Sequence, residues 1–103
     1  MNKFSFIELA ILRMLENEAL HGYGMSAKMQ QYSDGDLNLP AGSLYPALHK
    51  LERSKLIESS LQPVGGRKRR VYTITPAGHT ALEKEISSWN VMVRTMSALL
   101  EAA

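Results

Sequence analysis

Leu82, Ile86, Trp89, Val93, Met96 and Leu100 follow one another at intervals of 4, 3, 4, 3 and 4 residues. Apolar residues in that alternation make one continuous stripe on a helix, spaced as in a coiled-coil seam. Thr75 offers an N-cap and Pro76 suits the first helical position, so the helix is predicted to start there and to run nearly to Ala103. About 26 residues at roughly 1.5 Å each make a rod of about 39 Å. Residues 1–75 cannot cover so long a stripe. The simplest cover is the same helix of a second copy, which makes the six seam residues candidate dimerisation residues. A helix folded back on its own domain is the alternative.

The chain before this rod reads as shorter elements. Ser5 with Glu8 three residues on is a capping box, and Phe4 and Leu9 stand where a hydrophobic staple would place them. The helix that follows carries Ile7, Ala10, Ile11, Met14 and Leu15 on one stripe, widened by Phe6, Leu9 and Leu12. That width predicts a second partner surface. His21-Gly22-Tyr23-Gly24 reads as a turn into a second helix with Met25, Met29 and Tyr32 inward, stopped by Ser33-Asp34-Gly35-Asp36. After an extended Leu37-Asn38-Leu39, Pro40 opens a third helix buried along Leu44, Ala47, Leu48 and Leu51. Its opposite face presents Gly42, Pro46, His49 and Arg53, flanked by Ser43, Tyr45 and Lys50.

Alternation at Ile57, Ser59 and Leu61, and again from Val71 to Ile74, predicts two strands. Pro63-Val64-Gly65-Gly66-Arg67-Lys68 between them reads as the turn of a hairpin. The predicted fold is mainly α with a small β-hairpin. Three helices followed by such a hairpin is the order of a winged helix-turn-helix, with the long C-terminal dimerisation helix appended. Residues 1–75 would form the DNA-binding domain and residues 76–103 the dimerisation helix.

Charge points the same way. The net charge is only +2, but residues 40–70 hold seven bases against two acids, while the rest of the chain is acid-rich. A positive field gathered on one helix and one hairpin suits a polyanion. Ser43, Tyr45, His49, Lys50 and Arg53 are candidate base-edge contacts, and Arg67, Lys68, Arg69 and Arg70 candidate phosphate or minor-groove contacts. A solvated basic loop is the plainer alternative for the hairpin.

Other classes find little support. The chain has no cysteine, which removes disulfides and thiol chemistry and agrees with a reducing compartment. The acid at Glu8 comes too early for a secretory leader, and no run of about 18 apolar residues predicts a membrane span. A cytoplasmic protein is expected. His21, His49 and His79 fall on three separate elements, with no nucleophile, metal or phosphate-loop pattern beside them. The chain is not expected to be an enzyme or to carry a cofactor.

The motifs His21-Gly22-Tyr23-Gly24-Met25, Gly42 through Glu52, and Gly66-Arg67 through Tyr72 with Thr75 and Gly78 resemble, in order, those of PadR-family regulators. Lys68 stands where that family often has proline, and Val71 where tyrosine is frequent. The resemblance implies a homodimeric DNA-binding transcriptional regulator, usually a repressor of operator DNA released by a ligand. The single C-terminal helix resembles the short, multidrug-responsive members. In those, a tryptophan at the place of Trp89 stacks planar hydrophobic effectors, which makes Trp89, Met92, Val93 and Met96 candidate ligand residues with Ile11 and Leu12 as walls. A nonspecific DNA-coating protein and a protein-interaction adaptor are the rival functions of the same fold.

Overall fold

Ser5 caps the first helix as its spacing predicts. In the computed structural model, which describes residues 4–102, the Glu8 N–H donates to Ser5 Oγ (3.1 Å) and the Ser5 N–H donates to Glu8 Oε1 (2.8 Å). Two donors that the helix leaves orphaned are thus satisfied reciprocally. Helix α1 (Phe6–Met14) then buries Ile11, Leu12 and Met14. A short strand β1 (Leu20–His21) follows, which the sequence did not announce. His21 also caps α2 (Gly22–Tyr32), its Nδ1 accepting from the Gly24 N–H at 3.0 Å. The expected turn over His21–Gly24 is therefore already helix, because an imidazole nitrogen serves where a serine or aspartate oxygen usually does. Helix α2 stops at Asp34 and Gly35, both with positive φ, where the Gly35 N–H returns to the Gln30 carbonyl (2.8 Å).

Helix α3 (Ala41–Arg53) starts after Pro40, runs unbroken through Pro46, and buries Leu44, Leu48 and Leu51. Strands β2 (Ile57–Val64) and β3 (Arg67–Ile74) pair antiparallel, and β1 adds to the other side of β3, giving the order β1-β3-β2. The turn is only Gly65-Gly66, with φ of 58° and 79°. Both are positive, as a two-residue hairpin turn requires. This corrects the expected six-residue turn: Pro63 pairs with Lys68 and Val64 with Arg67, so the basic run lies in the ladder. Proline is tolerated there because β2 is an edge strand.

Thr75 caps α4 (Pro76–Glu101), its Oγ1 accepting from the Gly78 N–H (3.0 Å) and donating to the Lys55 carbonyl (2.8 Å). The helix seats so closely that a Cβ on Gly78 would stand 2.1 Å from the Leu56 carbonyl oxygen. One core joins all elements, with Ile11, Leu12, Met25, Leu48, Ile57, Tyr72 and Leu82 fully covered. One of the seam residues is thereby corrected. Leu82 is 0% exposed and serves the chain's own core, while Ile86 is half-buried at the edge of the same cluster. Val93, Met96 and Leu100 stay 58%, 46% and 72% exposed on the half of α4 that leaves the body. Met1 to Lys3 and Ala103, the outer ends of the divisions 1–75 and 76–103, lie outside the described residues.

The result is mainly α with a small antiparallel sheet, a winged helix-turn-helix whose wing is the β2–β3 hairpin, followed by a long C-terminal helix. Among the described residues no helix is long and apolar enough to cross a membrane.

Candidate nucleic-acid interface

Because Leu44, Leu48 and Leu51 turn inward, α3 must present its other face, and Tyr45, Pro46, His49 and Arg53 are exposed along it with Ser43 half-buried. Tyr45 is held in place by an absence. A Cβ on Gly22 would stand 2.4 Å from the Tyr45 hydroxyl, so the glycine is what lets the ring lie across the start of α2. The two helices frame a groove lined by Tyr23, Ser26, Gln30, Asn38 and Tyr45. Tyr23 is exposed and stacks on His21, with centroids 6.3 Å apart and planes 19° from parallel. Ser26 and Gln30 were not singled out from sequence; the signal that could have found them is a polar pair four apart, each next to a buried methionine (Met25 and Met29).

Lys50 of the expected set has a partner within the chain: its side chain is 63% exposed, and its Nζ lies 3.3 Å from Oε2 of Glu8 on α1. Glu8 is buried, which alone would raise its pKa. The Ser5 N–H and hydroxyl together with the Lys50 ammonium outweigh this and hold the carboxyl below its ordinary range. Lys50 therefore ties α3 to α1.

The wing presents its four bases two by two. Alternation along β3 puts Arg67 and Arg69 on one face of the ribbon, and Lys68 and Arg70 on the face shared with Tyr72. Arg67, Lys68 and Arg70 are exposed, whereas Arg69 is half-buried. A ribbon with two cations on each side can meet phosphates on either flank.

A separate apolar cavity of about 320 Å³ opens between α1, α2 and α4. Phe6, Leu9, Ala10, Met29 and Tyr32 line it, and Trp89 closes one side. Trp89 meets Phe6 edge-on (6.3 Å, 87°), and its Nε1 is shielded without a hydrogen-bond partner among the described residues. Of the six candidate ligand residues only Trp89 reaches this cavity. Ile11 and Leu12 are corrected here: both are 0% exposed, since their places on α1 point to the core while Phe6, Leu9 and Ala10 face the cavity. Met92, Val93 and Met96 lie further along the exposed half of α4.

The comparisons with known proteins agree on one group. The family described as transcriptional regulator PadR-like matches residues 11–84. The transcriptional regulator Rv3488 of Mycobacterium tuberculosis is 35% identical over 79 residues, covering 77% of this chain and 71% of that one. A PadR-like transcriptional regulator from Bacillus cereus superposes with a TM-score of 0.78 at 34% identity, covering 91% of this chain and 90% of the other. Bacillus subtilis PadR, solved in complex with operator DNA, shares the fold with a TM-score of 0.72 at 23% identity, over 80% of this chain and 47% of that one. The chain belongs to the PadR-like family of transcriptional regulators, whose members regulate transcription and are not enzymes.

Proposed function

We propose that this chain is a sequence-specific regulator that binds double-stranded operator DNA as a homodimer in the cytoplasm and represses transcription until a small planar, hydrophobic effector releases it. The observation that carries the reading is the joint exposure of the α3 face and of the wing cations Arg67, Lys68 and Arg70 on one winged helix-turn-helix body. In this fold α3 enters a major groove and the wing lies on the flanking backbone. Ser43, Tyr45, His49 and Arg53 are assigned to base edges and nearby phosphates, and Arg67, Lys68, Arg69 and Arg70 to phosphates. Lys50 is assigned to the set in its supporting place between α3 and α1.

Dimerisation through the free half of α4 is supported by its apolar stripe, where Val93, Met96 and Leu100 join Met92 and Leu99 in exposure. A second copy would cover that stripe and give the two-fold symmetry that a palindromic site requires. Residues 1–75 with the first turns of α4 then form the DNA-binding unit, and the rest of 76–103 the dimerisation helix. For the effector, the support is the apolar cavity with Trp89 at its edge, a shape and chemistry suited to a flat aromatic molecule. Quenching of Trp89 fluorescence by planar aromatic compounds tests it, and silence across a diverse panel rejects it.

A competition experiment separates specific regulation from nonspecific DNA coating and from a protein adaptor. At fixed salt, the regulator is expected to prefer its own promoter fragment over bulk DNA by about 10³ or more. A flat preference means coating, and no salt-sensitive retention of any duplex means an adaptor.

A further inference from the structure

Glu52 is an acid on the recognition helix, beside His49 and Arg53, where a carboxylate would repel phosphate if left to itself. It is not left to itself. Following the buried Leu51, it points at the sheet, and Ser59 Oγ of β2 donates to its Oε2 at 2.6 Å. The same hydroxyl oxygen accepts from Arg70 Nη1 of β3 at 3.1 Å. Register explains the meeting: Ser59 lies opposite Tyr72 and Leu61 opposite Arg70, so Ser59 and Arg70 are diagonal neighbours on one face of the ribbon.

Tyr72 lies under this chain of contacts. Burial raises its pKa, the Glu52 carboxylate and Tyr45 phenol push the same way, and Arg70 opposes them. Helix α3, both strands of the wing and the Tyr45 ring that crosses α2 therefore converge on one polar cluster. Beyond the Leu61–Arg70 pair, Gln62, Pro63, Arg67 and Lys68 are exposed and only Val64 and Arg69 are half-buried.

We infer that Glu52 and Ser59 are positioning residues that orient the Arg70 guanidinium at the wing root and so fix the wing's angle to α3. The hydroxyl takes one of the five guanidinium N–H groups. Arg70 is exposed, so the remaining donors face outward at the junction of helix and wing. A phosphate donor fixed relative to α3 sets the register in which α3 meets base edges, and that register is what lets base contacts specify. Loss of the brace leaves the charges in place and loses the register. The inference rests on the DNA-binding reading above.

The test uses the full chain, a short duplex of the sequence that the wild type selects from a random pool, and the same duplex scrambled. Ser59→Ala and Glu52→Ala are expected to lower the ratio of selected to scrambled affinity about 10-fold, with the salt slope on scrambled DNA no shallower than in the wild type. Ser59→Thr, which keeps the hydroxyl, is expected to restore the ratio. In an Arg70→Ala background, Ser59→Ala is expected to change nothing further, because the group it orients has gone. Thermal melts matching the wild type, with the ratio lost, separate positioning from mere folding. An unchanged ratio in Ser59→Ala, or fully additive losses with Arg70→Ala, overturns the inference while leaving DNA recognition intact. A wild type that selects no sequence overturns the DNA reading itself, and the inference with it.

Discussion

Gly78→Ala adds one methyl group where α4 has no room for it. The new Cβ would meet the Leu56 carbonyl oxygen at 2.1 Å, Ile74 Cγ1 at 2.7 Å and the Leu56 carbonyl carbon at 3.1 Å. The first contact falls more than about 1 Å short of ordinary van der Waals separation. Its partner is backbone, so no side chain can swing away; the start of α4 must lift from the α3–β2 connection. Overpacking of this kind costs roughly 1–3 kcal/mol. Lifting also strains the Thr75 N–H bond to the Leu56 carbonyl (3.0 Å) and the Thr75 Oγ1 bond to the Lys55 carbonyl (2.8 Å). Each is worth about 1 kcal/mol. Alanine's better helix propensity returns at most about 1 kcal/mol. The net loss is about 3 kcal/mol, which for a domain of this size lowers Tm by roughly 12–24 °C.

Circular dichroism melts at one fixed protein concentration provide the assay, since the proposed dimerisation would make Tm concentration-dependent. Gly42→Ala is the control. It makes the same chemical change inside a helix, but nothing lies within 4 Å of its added Cβ. Its Tm is expected to match or exceed that of the wild type. If Gly78→Ala melts as Gly42→Ala does, the close seat of α4 on the Leu56 carbonyl is wrong.

Three further perturbations probe other parts of the account. Glu8 has a depressed folded-state pKa, so its carboxylate stabilises the fold above the ordinary glutamate value of about 4.3, and that contribution is lost as the pH falls through the lower folded value. Glu8→Gln should therefore cost about 1 kcal/mol of unfolding free energy at pH 7 and progressively less in acid, read from denaturant midpoints; a gap independent of pH contradicts this. Met96→Glu with Leu100→Glu should leave the helical content unchanged, because both side chains are exposed in the single chain, yet sediment as a monomer at micromolar concentration. A dimer that survives both charges places its interface elsewhere. Arg67→Ala with Arg69→Ala should weaken binding to all duplexes alike and make the salt slope shallower by roughly 1.8 per subunit, and an unchanged slope excludes phosphate contact there.

Local chemistry made much of this fold legible in the sequence. The Ser5–Glu8 box, the Thr75–Pro76 start of α4 and the Leu44–Leu48–Leu51 stripe depend on residues at most a turn or two apart, and each is found where its spacing put it. What escaped depends on partners distant in the chain. Strand β1 is two residues long and has no periodicity to read; it exists because Leu20 and His21 find Tyr72 and Val71. The wing looked like a loop because Pro63 and Gly65-Gly66 read as turn residues beside a basic run, and cross-strand pairing extends the strands to Val64 and Arg67. Leu82 fits the heptad spacing as well as Met96 does, and only the packing of α4 against α1 tells a core position from a free one.

The interface divides in the same way. Which residues are basic is plain from the sequence, but where each cation points is not. Lys50 differs from His49 by one position, or about 100° around the helix, and that rotation carries it to Glu8. Tyr45 depends on Gly22, 23 positions earlier, which has no side chain to announce the contact. The Trp89 cavity was sought against Ile11 and Leu12, whereas the wide apolar stripe of α1 splits so that Phe6, Leu9 and Ala10 face it.

Selection of bound fragments from a random duplex pool tests the central claim most directly. The account predicts an enriched sequence with two-fold symmetry, its half-sites about one helical turn or a multiple of it apart, as two α3 helices on a dimer require. Recovery of fragments with no shared sequence, or retention by charge alone that vanishes evenly as salt rises, would contradict it.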